Sequence, residues 1–309
     1  MDIATREGQE QIRSLLQDCD ILIENFKVGG LAKYGLSYDD LKNEYPQLIY
    51  VSITGFGQTG PMAHEAGYDF MIQALSGLMS VTGSADQPPT KTGVAVCDYV
   101  TGLYGVIGVL GALRAREVSG TGQYIDLALM DCTVAMMTNI AQYTLTSGDN
   151  PPRVGNAHTT IVPYQAFEAR DGWIIIAVGN DQQFSRLAHI MGHPEWADDE
   201  RFATNKARVI NRDVLLALMI PILKAQDIAH WASLCDAQNI PHGPVQTMSD
   251  VFAMEQMKAR DMVVEMPHQL TSAPVPLVGS PLKFSQTPVT YRHAPPVMGD
   301  HSDDDKDKT

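Results

Sequence analysis

The chain has 309 residues, 44% hydrophobic and 19% charged, an ordinary globular composition with length for about two domains. Its formal net charge of −14 argues against a nucleic-acid surface, which needs a basic stripe. No run approaches the ~20 uninterrupted apolar residues of a membrane span, so no membrane partner is expected.

The opening MDIATREGQEQ shows no signal or transit segment. Cys19, Cys97, Cys132 and Cys235 lie far apart with no CxxC or Cys/His cluster. That pattern predicts no zinc site and no disulfide scaffold, and it fits a reducing setting. The cytoplasm is the expected location, with the mitochondrial matrix left open if a leader has been lost.

In chain order, Thr5 is placed to cap an amphipathic helix over 5–19, with Ile12, Leu15 and Leu16 on its buried face. DILIEN (20–25) is a compact strand. Ser37-Tyr-Asp-Asp40 has capping-box form and opens a short helix ended by Pro46. LIYVSITGFG (48–57) is the next strand, and YDFMIQALSGLMS (68–80) the next helix. This alternation predicts an α/β fold with a Rossmann-like parallel sheet. Ligands of such sheets bind beyond the carboxyl ends of the strands, here IEN (23–25) and ITGFG (53–57).

Val94 to Cys97 reads as a short buried strand or a loop entering the core, and Tyr99 to Arg116 as a helix. That helix carries Gly102, Gly105, Gly108 and Gly111, each costing up to about 1 kcal/mol against alanine. Such a set is expected where a second backbone comes close. A further strand follows in GTGQYIDLALMD and a helix in CTVAMMTNIAQYTL.

Gly, Asn and Pro interrupt the pattern at 146–158, which predicts a domain boundary. The expected division is 1–148, a large α/β domain, then 149–265, a smaller α+β domain. The smaller one has two strands about an ARDG turn and helices over 181–191, 211–224 and 227–237. Residues 266–309 read as an extended Pro-rich segment returning over the first domain, ending in the ionic tail DHSDDDKDKT.

No phosphate-binding GxxxxGK[ST], dinucleotide GxGxxG or metalloprotease HExxH occurs, and GFGQTG lacks a capped helix behind it. His158 is the one histidine in a suggestive loop. Asp98 stands out as a carboxylate at a helix start with no evident Lys or Arg partner. By spacing alone it is either an N-cap or a nucleophile held ionised by the helix dipole.

Several segments together resemble the class III CoA-transferase family, which includes formyl-CoA transferase, carnitine CoA-transferase and alpha-methylacyl-CoA racemase. They are DILIENFKVGGLAKYGLSYDDL, LIYVSITGFGQTGP, AGYDFMIQALSGLMSVTG, GVAVCDYVTGLYG, GTGQYIDLALMD, GNAHTTIVPYQAF and IPHGPVQ. The resemblance spans about residues 3–301. It implies an interlocked homodimer and an acyl-CoA:carboxylate CoA-transferase whose 1–148 domain binds coenzyme A as an acyl-CoA, with a small carboxylic acid as co-substrate and no metal.

By the same resemblance Asp98 is the nucleophile. It passes through a mixed anhydride and an aspartyl-CoA thioester, with backbone N–H groups at the helix start as oxyanion donors. Asn25, Phe26 and Lys27 contact CoA, and Lys33 approaches its phosphates. Tyr68 and Asp69 lie close to the thioester, and Gly155, Asn156 and His158 sit on a loop that closes over the intermediates.

Racemases of the family carry histidine where this chain has Tyr68, so transferase is preferred to 2-methylacyl-CoA racemase, the alternative. The GNAH…IVPYQAF wording is similar to members that move CoA from succinyl-CoA to dicarboxylic acids such as glutarate. A second carboxylate would want a cation, for which Arg153, Lys91 and His158 are candidates. The family pattern also has a βα unit ahead of IATREGQE and a helix after MGxH, neither seen here. An exposed sheet edge is therefore expected, and a catalytically silent homologue acting as an oligomeric or binding protein is the competing reading.

Overall fold

In the computed structural model, which describes residues 1–298, the chain divides into two units, Met1–Thr159 and from Thr160 onward. The acidic tail lies outside the described residues. The boundary falls later than 148/149, because residues 149–159 are fastened to the first unit. The Gly155 N–H donates to the Gly83 carbonyl, and Arg153 donates to three carbonyls of the 84–87 turn.

The first unit is α/β. Strands β1 (Ile21–Glu24), β2 (Ile49–Thr54) and β3 (Tyr124–Ala128) form a parallel sheet in the order β1-β2-β3. Helix α1 (Arg6–Leu16) starts at Thr5, whose hydroxyl accepts from Gly8 N–H at 3.1 Å. On one face of the sheet, Leu16 packs with Leu31, Leu36, Leu41, Leu48 and Tyr50. On the other, Ala112, Val109 and Leu113 pack on Ile49, Val51 and Ile125. Covered on both faces, β2 is almost wholly buried, which is why it reads as a near-continuous apolar run. Ile23 on the outer strand β1 is 60% exposed.

Ser37 and Asp40 form the capping box of α2 (Tyr38–Leu41). The single helix expected over 68–80 is two, α3 (Asp69–Leu75) and α4 (Leu78–Val81), parted at Gly77 with φ +88°. Helix α5 runs from Val96 to Ser119, and its start differs from the expectation. No strand forms at 94–97; Val94 is 68% exposed, and Val96 and Cys97 open the helix. Helices α6 (Leu129–Met136) and α7 (Thr138–Ser147) complete the unit.

Two features of α5 bear on its packing. A Cβ on Gly105 would meet a Leu127 methyl at 3.3 Å, and one on Gly108 would meet Ile125 at 3.6 Å. Among the described residues nothing lies within 4 Å of a Cβ placed on Gly102 or Gly111, so their face of the helix is open in the single chain. By length and composition alone α5 is apolar enough to cross a membrane, although charged residues interrupt it at Asp98, Arg114, Arg116 and Glu117. Leu103, Val106, Ile107 and Leu110, all about half exposed or more, form its outward stripe, while Thr101, Gly105 and Ala112 are buried.

The second unit is α+β. Strands β4 (Tyr164–Ala169), β5 (Gly172–Ala177) and β6 (His242–Pro244) form an antiparallel sheet with β5 central. Helices α8 (Asp181–Ile190), α9 (Asn205–Ile210), α10 (Arg212–Lys224) and α11 (Ile228–Ala237) contribute to the core with Phe167, Ile174, Ile176, Phe184, Leu215 and Trp231. Arg208, fully buried, donates to the Val162 and Phe202 carbonyls and to Asp181 Oδ1. After α12 (Met248–Ala253) and α13 (Glu255–Ala259), β7 (Val263–Met266) and β8 (Val275–Val278) pair as an antiparallel ribbon. Part of the expected return segment is thus one arm of a hairpin inside the second unit.

Candidate active site

Asp98 is the third residue of α5, and the N-cap position is Ala95, which makes no side-chain cap. Asp98 is therefore not the cap. The cap comes from outside the helix: Asp69 Oδ1 accepts from the N–H of Cys97 at 2.8 Å and of Asp98 at 3.4 Å. Asp69 is the first residue of α3, and its other oxygen accepts from Gln73 Nε2 at 2.7 Å, one turn on. The i,i+4 spacing of Asp69 and Gln73 puts both on one helix face.

The N–H groups of the first turn have partners within the chain. The Val96 N–H donates to the Val94 carbonyl at 2.8 Å and the Tyr99 N–H to the Ala95 carbonyl at 3.1 Å. With Cys97 and Asp98 bonded to Asp69, all of these first-turn donors of α5 are engaged. Asp98 itself is exposed in the single chain, not set in dry surroundings. Partial desolvation, and next the charge of Asp69, push its pKa above the ordinary carboxylate range. Burial pushes the neighbouring Cys97 thiol up as well, which keeps it neutral beside the carboxylate.

Asn25, Phe26, Lys27 and Tyr68 come together. They share a cavity of about 160 Å³ at the carboxyl ends of β1 and β2, with Thr54 and His64 among its other walls. Asn25 Nδ2 donates to the Ile53 carbonyl at 2.5 Å, and the Phe26 N–H donates to Glu24 Oε2 at 2.7 Å. These bonds tie the 25–27 turn to the sheet. The opposite wall is set by Gly55 and Gly67. A Cβ on Gly67 would lie 2.4 Å from the Gly55 Cα, so the two backbones meet with no room for a side chain. Tyr68 follows directly, 73% exposed, and Asp69 follows Tyr68. The cavity is thereby joined through two consecutive residues to the start of α5.

Lys33 sits elsewhere, on a single 3₁₀ turn (Ala32–Tyr34), its ammonium 4.7 Å from the centre of the Tyr34 ring. It is not among the residues lining the 160 Å³ cavity. Lys27 also lines a second cavity of about 400 Å³ on the tyrosine side of the sheet, with Tyr38, Tyr50 and Tyr124.

Gly155 and Asn156 lie on one turn, with φ +64° at Gly155 and the Ala157 N–H donating to the Val154 carbonyl at 3.1 Å, and His158 follows just beyond it. Arg153, a candidate cation for a substrate carboxylate, is engaged instead with the chain. It donates to the carbonyls of Ser84, Ala85 and Gln87 at 3.2, 3.4 and 3.0 Å. Among the described residues no group of three or more His, Cys, Asp or Glu is placed to hold a metal.

Sequence reasoning missed Gln73, Thr92, Gly55 and Gly67. The first had a signal in the Asp69/Gln73 spacing; the glycine contact joins residues a dozen positions apart and leaves no local pattern.

Residues 1–302 match the family model described as CoA-transferase family III. The succinate–glutarate CoA-transferase of Agrobacterium fabrum is 44% identical over 300 residues, 97% of this chain and 75% of that protein. The mouse succinyl-CoA:glutarate CoA-transferase is 37% identical over 302 residues, 98% of this chain and 69% of that protein. Among solved structures, a CAIB/BAIF family protein from Brucella suis superposes with TM-score 0.87 at 46% identity, covering 99% of this chain and 80% of that one. A parallel-sheet unit with an Asp-capped helix start, matched along nearly its whole length to these transferases, places the chain in CoA-transferase family III.

Proposed function

We propose that this chain moves coenzyme A between an acyl-CoA and a carboxylic acid, with Asp98 as the covalent nucleophile. The observation that carries the reading is the placement of Asp98. It is held by Asp69 at the start of α5, next in line to the Tyr68 edge of the Asn25–Lys27 cavity.

The chemistry balances without a base. An Asp98 oxygen attacks the thioester carbonyl, the C–S bond breaks, and CoA leaves as a thiolate with a mixed anhydride behind it. The thiolate then attacks the aspartyl carbonyl, the acyl group leaves as a free carboxylate, and an aspartyl-CoA thioester remains. The acceptor carboxylate runs the same two steps in reverse and restores Asp98. Each step exchanges one anion for another, so no proton moves. A thiol near ~8.5 is a poorer leaving group than a carboxylate near ~3.9. Raising the Asp98 pKa narrows that gap and strengthens the nucleophile.

In this reading Asn25, Phe26 and Lys27 hold the CoA moiety, and Tyr68 and Asp69 flank the thioester. The Gly155–His158 segment covers the intermediates, and Lys33 meets the phosphates from outside the cavity. Succinyl-CoA as donor and a dicarboxylate such as glutarate as acceptor follow from the names of the relatives.

The working unit is a homodimer. The outward face of α5 presents Tyr99, Leu103, Val106, Ile107 and Leu110 with open space over Gly102 and Gly111, which suits close packing by a second copy. A sedimentation mass of one chain, unchanged at tens of micromolar, would refute this part.

The deciding experiment is trapping. The protein is incubated with succinyl-CoA, quenched with hydroxylamine or borohydride, and its peptides mapped by mass spectrometry, with Asp98→Ala as control. An adduct confined to Asp98 is expected. A folded protein that turns over substrate but carries no Asp98 adduct would overturn the assignment.

A further inference from the structure

Gln73 is 1% exposed, and every polar atom of its side chain has work to do that a leucine or methionine could not perform. Nε2 donates to Asp69 Oδ2 at 2.7 Å. Oε1 accepts from the Thr92 N–H at 2.9 Å, while the Thr92 hydroxyl donates to the Val94 carbonyl at 2.8 Å. A backbone N–H can only donate, so the Thr92 bond fixes which end of the amide is oxygen. The NH₂ end therefore faces Asp69, and Asp69 must accept there. Both Asp69 oxygens then act as acceptors, Oδ2 toward Gln73 and Oδ1 toward Cys97 and Asp98.

We propose that Gln73 is a positioning residue for the transfer reaction: anchored on the Thr92 backbone, it sets the rotation of the Asp69 carboxylate and thereby the place of Asp98 at the start of α5. The inference rests on Asp98 being the nucleophile. A buried amide left without partners is costly, so a glutamine here is favoured only with both contacts made. The titratable and charged groups around the pair are Asp98 and Cys97 from α5 and Lys91 beside Thr92, whose ammonium lies 3.4 Å from the Thr92 carbonyl.

The test uses the full chain with succinyl-CoA and glutarate, recording kcat and KM against pH for Gln73→Glu and Gln73→Leu. In Gln73→Glu one oxygen keeps the Thr92 bond and the other meets Asp69 Oδ2. Two carboxylate oxygens that close share one proton, and the bond lasts only while the proton stays. The expected result is activity at the acid end and a new loss of kcat as pH rises, a limb absent from the parent protein. Gln73→Leu is expected to lower kcat by about 10²-fold at every pH, with KM for succinyl-CoA within about twofold.

If Gln73→Leu does not fold, the isosteric Gln73→Glu carries the test alone. A Gln73→Glu profile that matches the parent, in a protein whose parent form gives the Asp98 adduct, overturns the positioning role. A parent protein that gives no Asp98 adduct overturns the nucleophile reading instead, so the two failures are told apart.

Discussion

Replacing Asp69 by alanine removes three hydrogen bonds at once, those from Cys97 N–H, Asp98 N–H and Gln73 Nε2. Loss of a helix cap costs about 0.5–2 kcal/mol. Leaving the buried Gln73 amide without an acceptor adds about 1–3 kcal/mol. A central value near 3 kcal/mol, if expressed in opening of the first turn of α5, speeds exchange of the Cys97 amide hydrogen by about 10²-fold. Exchange read by mass spectrometry on a peptide covering 94–104 measures this without assuming that both units unfold together. The pH profile gives an independent reading. Asp98 is shifted upward first by desolvation and second by the charge of Asp69, and only the second cause disappears. The acid limb of kcat therefore moves to lower pH, because the ionised Asp98 persists further into acid. Asp69→Asn separates the two effects: asparagine has no charge and one acceptor, so it can serve the helix start or Gln73 but not both. Unchanged exchange at Cys97 in Asp69→Ala, or an acid limb that moves upward, would refute the account of this cap.

Three further outcomes are expected. Asp98→Asn lowers turnover by at least ~10³-fold. Its folded pKa lies above the unfolded value, so the native carboxyl favours folding below ~3.9 and loses that contribution as pH rises through the folded value. The variant should thus melt slightly higher than the parent at pH 7 and at the same temperature near pH 3, by scanning calorimetry. Gly67→Ala forces a Cβ to within 2.4 Å of the Gly55 Cα; the backbones must part, at a cost of about 1–3 kcal/mol. Weaker binding of free CoA, by isothermal titration, is the expected readout, and unchanged affinity would detach this cavity from CoA. Arg153→Ala frees the 84–87 turn, so the Gly155 N–H, bonded to the Gly83 carbonyl, should exchange faster; Arg153→Lys should not restore it, since lysine lacks the fork that spans separate carbonyls.

What the sequence shows and hides follows from how local each interaction is. The Thr5 cap, the Ser37/Asp40 capping box, the strands about ARDG and the doubly covered β2 are written within a few residues, and the structure has them. Asp98 was conspicuous as a carboxylate at a helix start. Its cap was not, because Asp69 reaches it from 29 residues away. Arg153 looked like a free cation because the carbonyls that hold it lie in a turn some 70 residues back. The end of the first unit was misplaced for the same reason: a Gly/Pro-rich stretch looks like a linker until its hydrogen bonds are counted. The hairpin of β7 and β8 was hidden by Pro276, an unusual residue in a strand, allowed here because a two-stranded ribbon has outward edges.

The proposed exchange chemistry would make the site largely a matter of position. In that mechanism the nucleophile and leaving groups are all anions, so an acid or base beside Asp98 would have nothing to transfer. On reference values the thiolate is about 4.6 units more basic than the carboxylate that displaces it, so making the first anhydride and thiolate is uphill. In the proposed mechanism, desolvation of Asp98 would ease that step by making the carboxylate more basic, and a thiolate held in place would attack again before escaping. Both needs conflict with an Asp98 that stands exposed in the single chain, where water would also hydrolyse the anhydride. The outward stripe of α5 begins at Tyr99, the next residue, and continues through Leu103, Val106 and Leu110. The second copy proposed to cover that stripe would arrive beside Asp98. On the proposed reading, pairing of two copies and activation of Asp98 are one event, and Leu110→Glu, twelve residues from that carboxylate, should weaken both together.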